Sequence, residues 1–202
     1  MKILKCLTVI SSVLLLGLAS CASTPAVSRV DANTVVDLDG YWNDTDVRLV
    51  CDSLISECIA SPRIASFKTA NGRDPIVILG KIRNQSDEHI DTTIVSNKMR
   101  NAIINSGVME FVSSADERTD LRAEKADQAE NAYETAKSIG NEQAADYMLI
   151  GSVKSIVQSA GNQSVRTYFV DVELHDIETN KIIWSGENSE IKKVIKNAKT
   201  KL

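Results

Sequence analysis

The sequence predicts a single α/β domain in three layers, with a mixed sheet of four or five strands and helices on both faces. In the middle of the chain, β-branched runs alternate with helical periods, which is typical of parallel strands joined by helices. In the last third, apolar residues recur at every second position between short turns, which indicates antiparallel strands. About 180 of the 202 residues remain once an N-terminal export segment is set aside, enough for one well-filled core.

The first helix is predicted over residues 47–59, where apolar side chains recur at spacings of three and four. The preceding block "WNDTD" supplies its start, with Asn43 as the expected N-cap, accepting a hydrogen bond from Asp46 or its neighbour in the first turn. Trp42 and Val47 are spaced to form a hydrophobic staple. Because each polar atom has a structural partner in this scheme, the block predicts a helix start and not a chemical site.

Cys51 and Cys58 both fall on the apolar stripe of this helix. Seven residues of helix span about 10.5 Å, well beyond the roughly 7 Å that a disulfide bridges between Cα atoms. The two thiols are therefore predicted to stay reduced, as small core side chains and not as a metal or redox site.

The next part of the chain predicts parallel strands and the helices that connect them. The run "PIVILGKI" (75–82) is nearly continuous in apolar residues, which favours a central strand covered on both sides. A second strand is predicted over residues 108–112. Helices are predicted over residues 89–106 and 114–140, each closed by a glycine in the left-handed conformation.

The last third of the domain predicts a hairpin followed by one more antiparallel strand. Strands over residues 146–158 and 164–177 flank the loop "SAGNQ", and a further strand covers "IIWSGE" (182–187). The basic end of the chain, residues 191–202, is predicted to be a helix. The second hairpin strand carries an apolar row on one face, made of Tyr168, Val170, Val172 and Leu174.

The sequence lacks the motifs of catalysis, cofactor binding and metal binding. Neither His89 nor His175 accompanies a nucleophile motif, and no Walker loop, dinucleotide fingerprint, paired-histidine motif or CxxC occurs. Carboxylates are dense between residues 116 and 134, but they lie among Lys and Arg at helical spacing, as on a solvated face. We therefore expect that the protein is not an enzyme and that it binds no cofactor and no metal. A net charge of −4, from 23 basic and 27 acidic residues, argues against a nucleic-acid partner.

The N-terminus predicts an exported, lipid-anchored protein. Lys2 and Lys5 precede an apolar run that is too short and too early for an ordinary membrane-spanning helix. The run ends in "LASC", which resembles the bacterial lipobox, so residues 1–20 are the expected signal peptide and Cys21 the expected lipid attachment site. A plain secretory signal with an incidental cysteine is the alternative. Two or more acyl chains, such as palmitate, hold a protein stably on a bilayer.

We expect residues 21–36 to form the lipidated N-terminus and a short flexible tether, and residues 37–202 to form the domain. The tether sequence is small and polar and has no apolar period. Ala22 follows the cysteine, and the absence of Asp at this position resembles the default routing of enteric lipoproteins. The predicted location is therefore the periplasmic face of the outer membrane.

Five blocks of sequence resemble, in order and spacing, the LpoB family of lipoprotein activators of a class A penicillin-binding protein. They are "GYWNDTDVRLV", "PIVILGKIRNQSDEHIDTTIV", "FVSSADERTDLRAEKADQ", "AADYMLIGSVKSI" and "YFVDVELHDIETNKIIWSGENSEIKK". The resemblance covers nearly all of the predicted domain and implies a fold similar to the N-terminal domain of TolB. It also implies that the domain docks on a bifunctional synthase and stimulates glycan polymerisation and peptide cross-linking. The enteric activator has a much longer tether than this chain.

A structural or assembly lipoprotein, similar to the secretion lipoprotein CsgG, is the alternative, because strands of the "DYMLIGSV" type are shared by such families. For partner binding we select the hairpin of residues 158–168, where Arg166 is expected to be exposed. Asn162, Gln163 and Tyr168 complete the selected set. These polar residues alternatively form only the solvated face of a strand. We expect the protein to be monomeric.

Overall fold

The computed structural model of the protein describes residues 27–196. The predicted signal peptide (1–20), Cys21 and residues 197–202 lie outside the described residues. One compact unit begins at Val35. The helices are α1 (Asp44–Ile59), α2 (Pro62–Asn71), α3 (Thr92–Ser106) and α4 (Ala115–Asn131). The strands are β1 (Ile76–Asn84), β2 (Glu110–Val112), β3 (Tyr147–Ala160), β4 (Gln163–Asp176), β5 (Ile182–Asn188) and β6 (Lys192–Lys196).

These strands form one mixed sheet of six strands. Five of them lie in the order β2, β1, β3, β4, β5, and β6 pairs with β4. Strand β1 runs parallel to β2 and β3, while β4 runs antiparallel to β3, β5 and β6. The predicted α/β class and the division into parallel and antiparallel parts are confirmed, with six strands where four or five were predicted.

The additional strand is β6, and the prediction of a C-terminal helix is wrong for its five residues. Strand β5 pairs with β4 only between Val170 and His175, which leaves the earlier part of the same β4 edge without a neighbour. Strand β6 pairs with that part, placing Val194 opposite Val165. The backbone groups along this edge of β4 thereby form hydrogen bonds with β6. A C-terminal helix would leave them without a strand partner.

Helices α1 and α3 pack against one face of the sheet, α1 on β5 and α3 on β1 and β2. The apolar row predicted for β4 lies in this core and is buried throughout. From the helices, Leu54 and Met99 have no exposed surface. Side chains on the opposite face of the sheet, such as Met148 and Ile156, are partly exposed and lie outside this core, so these positions lack the helix layer predicted for the second face.

Helix α1 begins as the sequence predicts. The Asn43 side chain accepts from the Asp46 amide over 3.2 Å, and the Asp46 carboxylate accepts from the Asn43 amide over 2.9 Å. This reciprocal pair is a capping box, which satisfies two backbone donors at once. Trp42 makes an edge-on ring contact with Tyr168, so its indole joins the helix start to the hairpin.

Two helices differ from the prediction. Helix α4 ends at Asn131 and not at Gly140, and none of its residues is buried. Helices in proteins gain most of their stability from a packed apolar face, and Leu121 on the thin stripe of α4 is half exposed. Helix α2 was not predicted, although Pro62 at its first position and the left-handed Gly72 after its end are typical boundary residues.

Cys51 and Cys58 are buried free thiols, as predicted. Burial raises the pKa of each thiol to about 12. Since the thiolate is the reactive form of cysteine, both side chains are expected to be inert at neutral pH.

We therefore expect iodoacetamide at pH 8 to leave Cys51 and Cys58 unmodified in the folded protein and to alkylate both in denaturant. Intact mass spectrometry of the mature chain carrying Cys21→Ala measures this directly. Rapid alkylation of either thiol without denaturant would show that helix α1 is not packed as described.

Candidate docking site on the hairpin

The candidate site is the far end of the hairpin formed by β3 and β4. The two strands are 14 residues long and pair from Tyr147 and Asp176 to Ala160 and Gln163. Strand β1 accompanies β3 only as far as Val153, so the end of the hairpin extends beyond it.

The hairpin turns at Gly161 and Asn162, which confirms the loop predicted from "SAGNQ". Gly161 has φ of 60°, a left-handed conformation that glycine adopts without a steric penalty and that type II′ turns require at this position. Asn162 and Gln163 are both exposed at the tip. Of the four selected residues, these two are the ones that a partner reaches directly.

Arg166 is buried, with 7% of its surface exposed, so the expectation that it is exposed is wrong. Its Nη1 lies 2.7 Å from Asp87 Oδ1 and also forms an ion pair with Glu88. The guanidinium carbon lies 5.1 Å from the centre of the Tyr41 ring, within the range of a cation–π contact. Arg166 is therefore held by three side chains beneath the hairpin surface.

Tyr168 is also buried and belongs to the core. Its hydroxyl donates to Glu88 Oε1 over 2.5 Å, and its ring meets the edge of Trp42 at 5.2 Å between centroids. Burial raises the pKa of Tyr168, and its hydrogen bond to Glu88 raises it further. Tyr168 thus remains a neutral hydrogen-bond donor, and its place is structural.

The side chain of Glu88 connects Arg166, Tyr168 and the backbone of Trp42. It is 8% exposed and accepts from Arg166, from the Tyr168 hydroxyl and, over 3.0 Å, from the backbone amide of Trp42. A buried carboxylate requires such compensation because desolvating an unpaired charge is costly. No sequence pattern predicted the burial of Glu88, since two consecutive acidic residues in a loop after a strand, Asp87 and Glu88, have no spacing that indicates which one is buried.

Lys193 of β6 makes a second ionic cluster next to the first. Its Nζ lies 2.7 Å from Asp46 Oδ2 and 2.8 Å from Asp37 Oδ1, and it donates to the carbonyl of Tyr41 over 2.7 Å. Burial alone lowers the pKa of Lys193, but the hydrogen bonds to both carboxylates outweigh it and hold the pKa above its usual value. The charged lysine therefore ties β6 to α1 and to the start of the domain.

The start of the domain passes closely over β6. A Cβ atom on Gly40 would lie 2.0 Å from Cδ1 of Ile195, so a residue other than glycine would force the two segments apart. The neighbouring Tyr41 covers Arg166 and leaves part of its own ring exposed. Val157, which pairs with Arg166, is likewise partly exposed.

We call Tyr41, Val157, Asn162 and Gln163 the hairpin surface. It combines an aromatic ring, an aliphatic side chain and two amides, supported from below by a network of ion pairs and hydrogen bonds. Between residues 27 and 196, no cluster of His, Cys, Asp or Glu side chains is arranged to hold a metal ion. Nor is any helix in that range long and apolar enough to cross a membrane. The arrangement suits recognition of another protein, for which rigid aromatic and amide groups are typical contacts.

We expect Glu88→Gln to lower the free energy of unfolding by about 3 kcal/mol, because the buried charge of Arg166 loses its best-shielded partner. Asp87→Asn is the matched control: Asp87 pairs with the same guanidinium but its side chain is 53% exposed, so the expected loss is below about 1 kcal/mol. Urea unfolding followed by circular dichroism measures both values. Equal losses for the two variants would contradict the central place of Glu88.

Comparison with solved structures gives several similar domains. The chain is 17% identical to the LpoB C-terminal domain from Salmonella enterica, covering 75% of this chain and 99% of that one with a TM-score of 0.38. It is 15% identical to LpoB of Escherichia coli, covering 85% of each chain with a TM-score of 0.40. A lipoprotein from Neisseria meningitidis is 17% identical, with 62% and 88% covered and a TM-score of 0.36. Likeness at this level bears on neither partner nor mechanism.

Comparison with protein families is more decisive. No curated protein matches the chain. The family described as peptidoglycan-synthase activator LpoB matches residues 46–190, a range that runs from the capping box of α1 to the connection between β5 and β6. Since this range is well over half of the chain, the protein belongs to the LpoB family of peptidoglycan-synthase activators.

Proposed function

We propose that this protein is a lipid-anchored lipoprotein of the outer membrane that binds a bifunctional class A penicillin-binding protein and stimulates it allosterically. The observation that carries the proposal is the family match over residues 46–190, whose description is that of a synthase activator. Regulation of peptidoglycan synthesis needs no catalytic group on the regulator. It needs a surface with higher affinity for the active state of the synthase than for its inactive state.

The hairpin surface is the contact that we propose for the synthase. Asn162 and Gln163 at the tip supply amide donors and acceptors, and the exposed part of Tyr41 supplies aromatic area. Arg166 and Tyr168 act from beneath, where their bonds to Glu88 hold both the hairpin and the domain start in place. A surface that is already ordered loses less conformational entropy on binding, which leaves more of the contact energy for affinity.

Proposed anchoring at Cys21 would set the position of this surface. The tether is short, and an extended chain spans at most about 3.6 Å per residue, so the domain would stay within a limited distance of its membrane. The synthase region it reaches must therefore approach the anchored domain, and a monomeric activator is sufficient for such an encounter.

We expect the mature Cys21→Ala protein to raise the rate of glycan polymerisation by at least one of the class A synthases of the source organism in a purified assay. The double variant Asn162→Ala, Gln163→Ala should bind that synthase about tenfold more weakly, since each lost interfacial hydrogen bond is worth about 0.5–1.5 kcal/mol. Consumption of lipid II by the synthase, titrated with the protein, measures the polymerisation rate. Biolayer interferometry measures the affinity for the synthase.

The matched control for this experiment is Asn141→Ala, Gln143→Ala, which removes the same two side-chain types from an exposed segment after α4. This variant should stimulate normally. If no synthase is bound or stimulated, the regulator proposal fails and an assembly role for the lipoprotein becomes the better explanation. If both double variants behave alike, the hairpin surface is not the contact.

We expect Cys21→Ala, expressed in full length in the source organism, to release a folded domain from membranes washed at high ionic strength. The acyl chains supply the stable anchor in this proposal, so the wild-type protein should remain in the pellet under the same wash. Fractionation followed by immunoblotting measures the distribution. Quantitative pelleting of the variant would contradict lipidation as the anchor.

A further inference from the structure

We propose that the back of the hairpin and β6 rests on the surface of a membrane rich in anionic phospholipid. The residues concerned are Ile156, Val165, Lys192, Val194 and Lys196, which we call the back patch. This inference rests on the proposed function only for the anchor that brings the domain to a membrane. It assigns a second interaction surface, which adjoins the hairpin surface only at Gln163.

The back patch is continuous across three strands. Side chains alternate between the two faces of a strand, and these five point away from the face that carries Arg166 and Tyr168. Val165 lies opposite Val194, and Gln163 lies opposite Lys196. Thr167 pairs with both Ile156 and Lys192, so the three strands present one surface.

The apolar part of the patch is open to solvent. Ile156 and Val194 each have 53% of their surface exposed, and none of the patch residues belongs to the buried core. Moving exposed aliphatic groups out of water lowers the free energy by about 25 cal/mol per Å² of apolar area buried. The boundary of a lipid bilayer supplies an apolar medium for such groups.

The charge of the patch is positive. Among the described residues, Lys192 and Lys196 have no carboxylate within ion-pair distance, whereas Lys154 beside them is paired with Asp171 at 2.9 Å. The patch itself contains no acidic residue. Lysines around exposed aliphatic groups are the combination that binds proteins to anionic bilayers, by charge attraction to headgroups together with shallow apolar insertion.

The domain start reaches β6 on the face opposite to the patch. Asp37 is bound to Lys193, the neighbour of Lys192 in β6, and from Asp37 the chain continues back to Cys21. Lys193 lies opposite Arg166, so its side chain is on the front of the sheet, and the proposed anchor joins the domain at the strand that carries the patch but from the other face. A second copy packed symmetrically on the same face would bring these lysines close to their counterparts, which like-charge repulsion disfavours.

The two proposed surfaces are compatible. The hairpin surface lies at the tip and, through Tyr41 and Val157, on the front of the hairpin, while the back patch faces the other way and meets the hairpin surface only at Gln163, opposite Lys196. A domain lying with its back on the bilayer keeps Tyr41 and Val157 accessible to a synthase, and the lipid contact limits the orientations from which that synthase meets the hairpin.

The test uses the mature chain with Cys21→Ala, which has no acyl chains and retains every described residue. Sedimentation with vesicles of phosphatidylglycerol and phosphatidylcholine at low salt should give binding that is lost with phosphatidylcholine alone. Each lysine near an anionic surface contributes about a fivefold change in partition coefficient. Lys192→Glu, Lys196→Glu should therefore lower the partition coefficient at least about twentyfold, and Ile156→Ser, Val194→Ser should lower it about fivefold.

The charge control is Lys137→Glu, Lys181→Glu, which changes the net charge equally at two exposed positions away from the patch. It should change partition less than threefold. Circular dichroism melting should show that all variants fold. The inference is overturned if wild type does not sediment with anionic vesicles, if neutral vesicles bind as well, or if the control loses as much binding as the patch variant.

Synthase stimulation in neutral detergent, without phospholipid vesicles, separates this inference from the proposed function. The lysine variant should stimulate as well as wild type there, since no anionic bilayer is present. Normal vesicle binding combined with failure to stimulate any synthase would overturn the regulator proposal and leave the membrane contact standing. Loss of stimulation by the lysine variant, without any vesicle binding by wild type, would assign the patch to the synthase and overturn the inference.

Discussion

The arrangement of the domain around its hairpin depends on the buried carboxylate of Glu88. It lies in the loop between β1 and α3, yet it accepts hydrogen bonds from β4 through Arg166 and Tyr168 and from the start of α1 through the amide of Trp42. Three segments distant in sequence thus meet at one side chain. A buried charge that is fully compensated specifies one arrangement, because every competing arrangement leaves it unpaired.

Strand β4 connects several segments in the same way, through backbone hydrogen bonds. It pairs with β3 along one edge and with β5 and β6 in succession along the other. Its inner face supplies the core beneath α1, and the hairpin end of the same strand carries the buried Arg166. Lys193 then fixes β6 to α1 and to the domain start through two carboxylates. The stable core and the candidate docking site are therefore two parts of one continuous element.

The domain belongs to the LpoB family of peptidoglycan-synthase activators. Arg166, Glu88 and Lys193 are engaged in internal ion pairs, while the hairpin tip and part of the back of the sheet are exposed. The proposals made above give these features separate partners, a synthase and a lipid surface. Both uses follow from the alternation of side chains along β3, β4 and β6, which gives the hairpin two chemically different faces.

The sequence by itself determined the α/β class, the capping box at Asn43, the buried thiols and the buried row of β4. These features depend on local spacing: three and four residues for a helix, two for a strand, and fixed positions at a helix end. It also identified the family, since whole blocks of residues carry that resemblance.

Only the tertiary structure decided the length of α4, the strand character of β6 and the burial of Arg166. Helix α4 ends early because no apolar face of it is buried, and β6 is a strand because an edge of β4 remained open to it. Arg166 and Glu88 are 78 positions apart in the chain, so no local pattern relates them. A charged residue on a strand is normally solvated, and burial reverses that expectation only where folding brings an opposite charge to it.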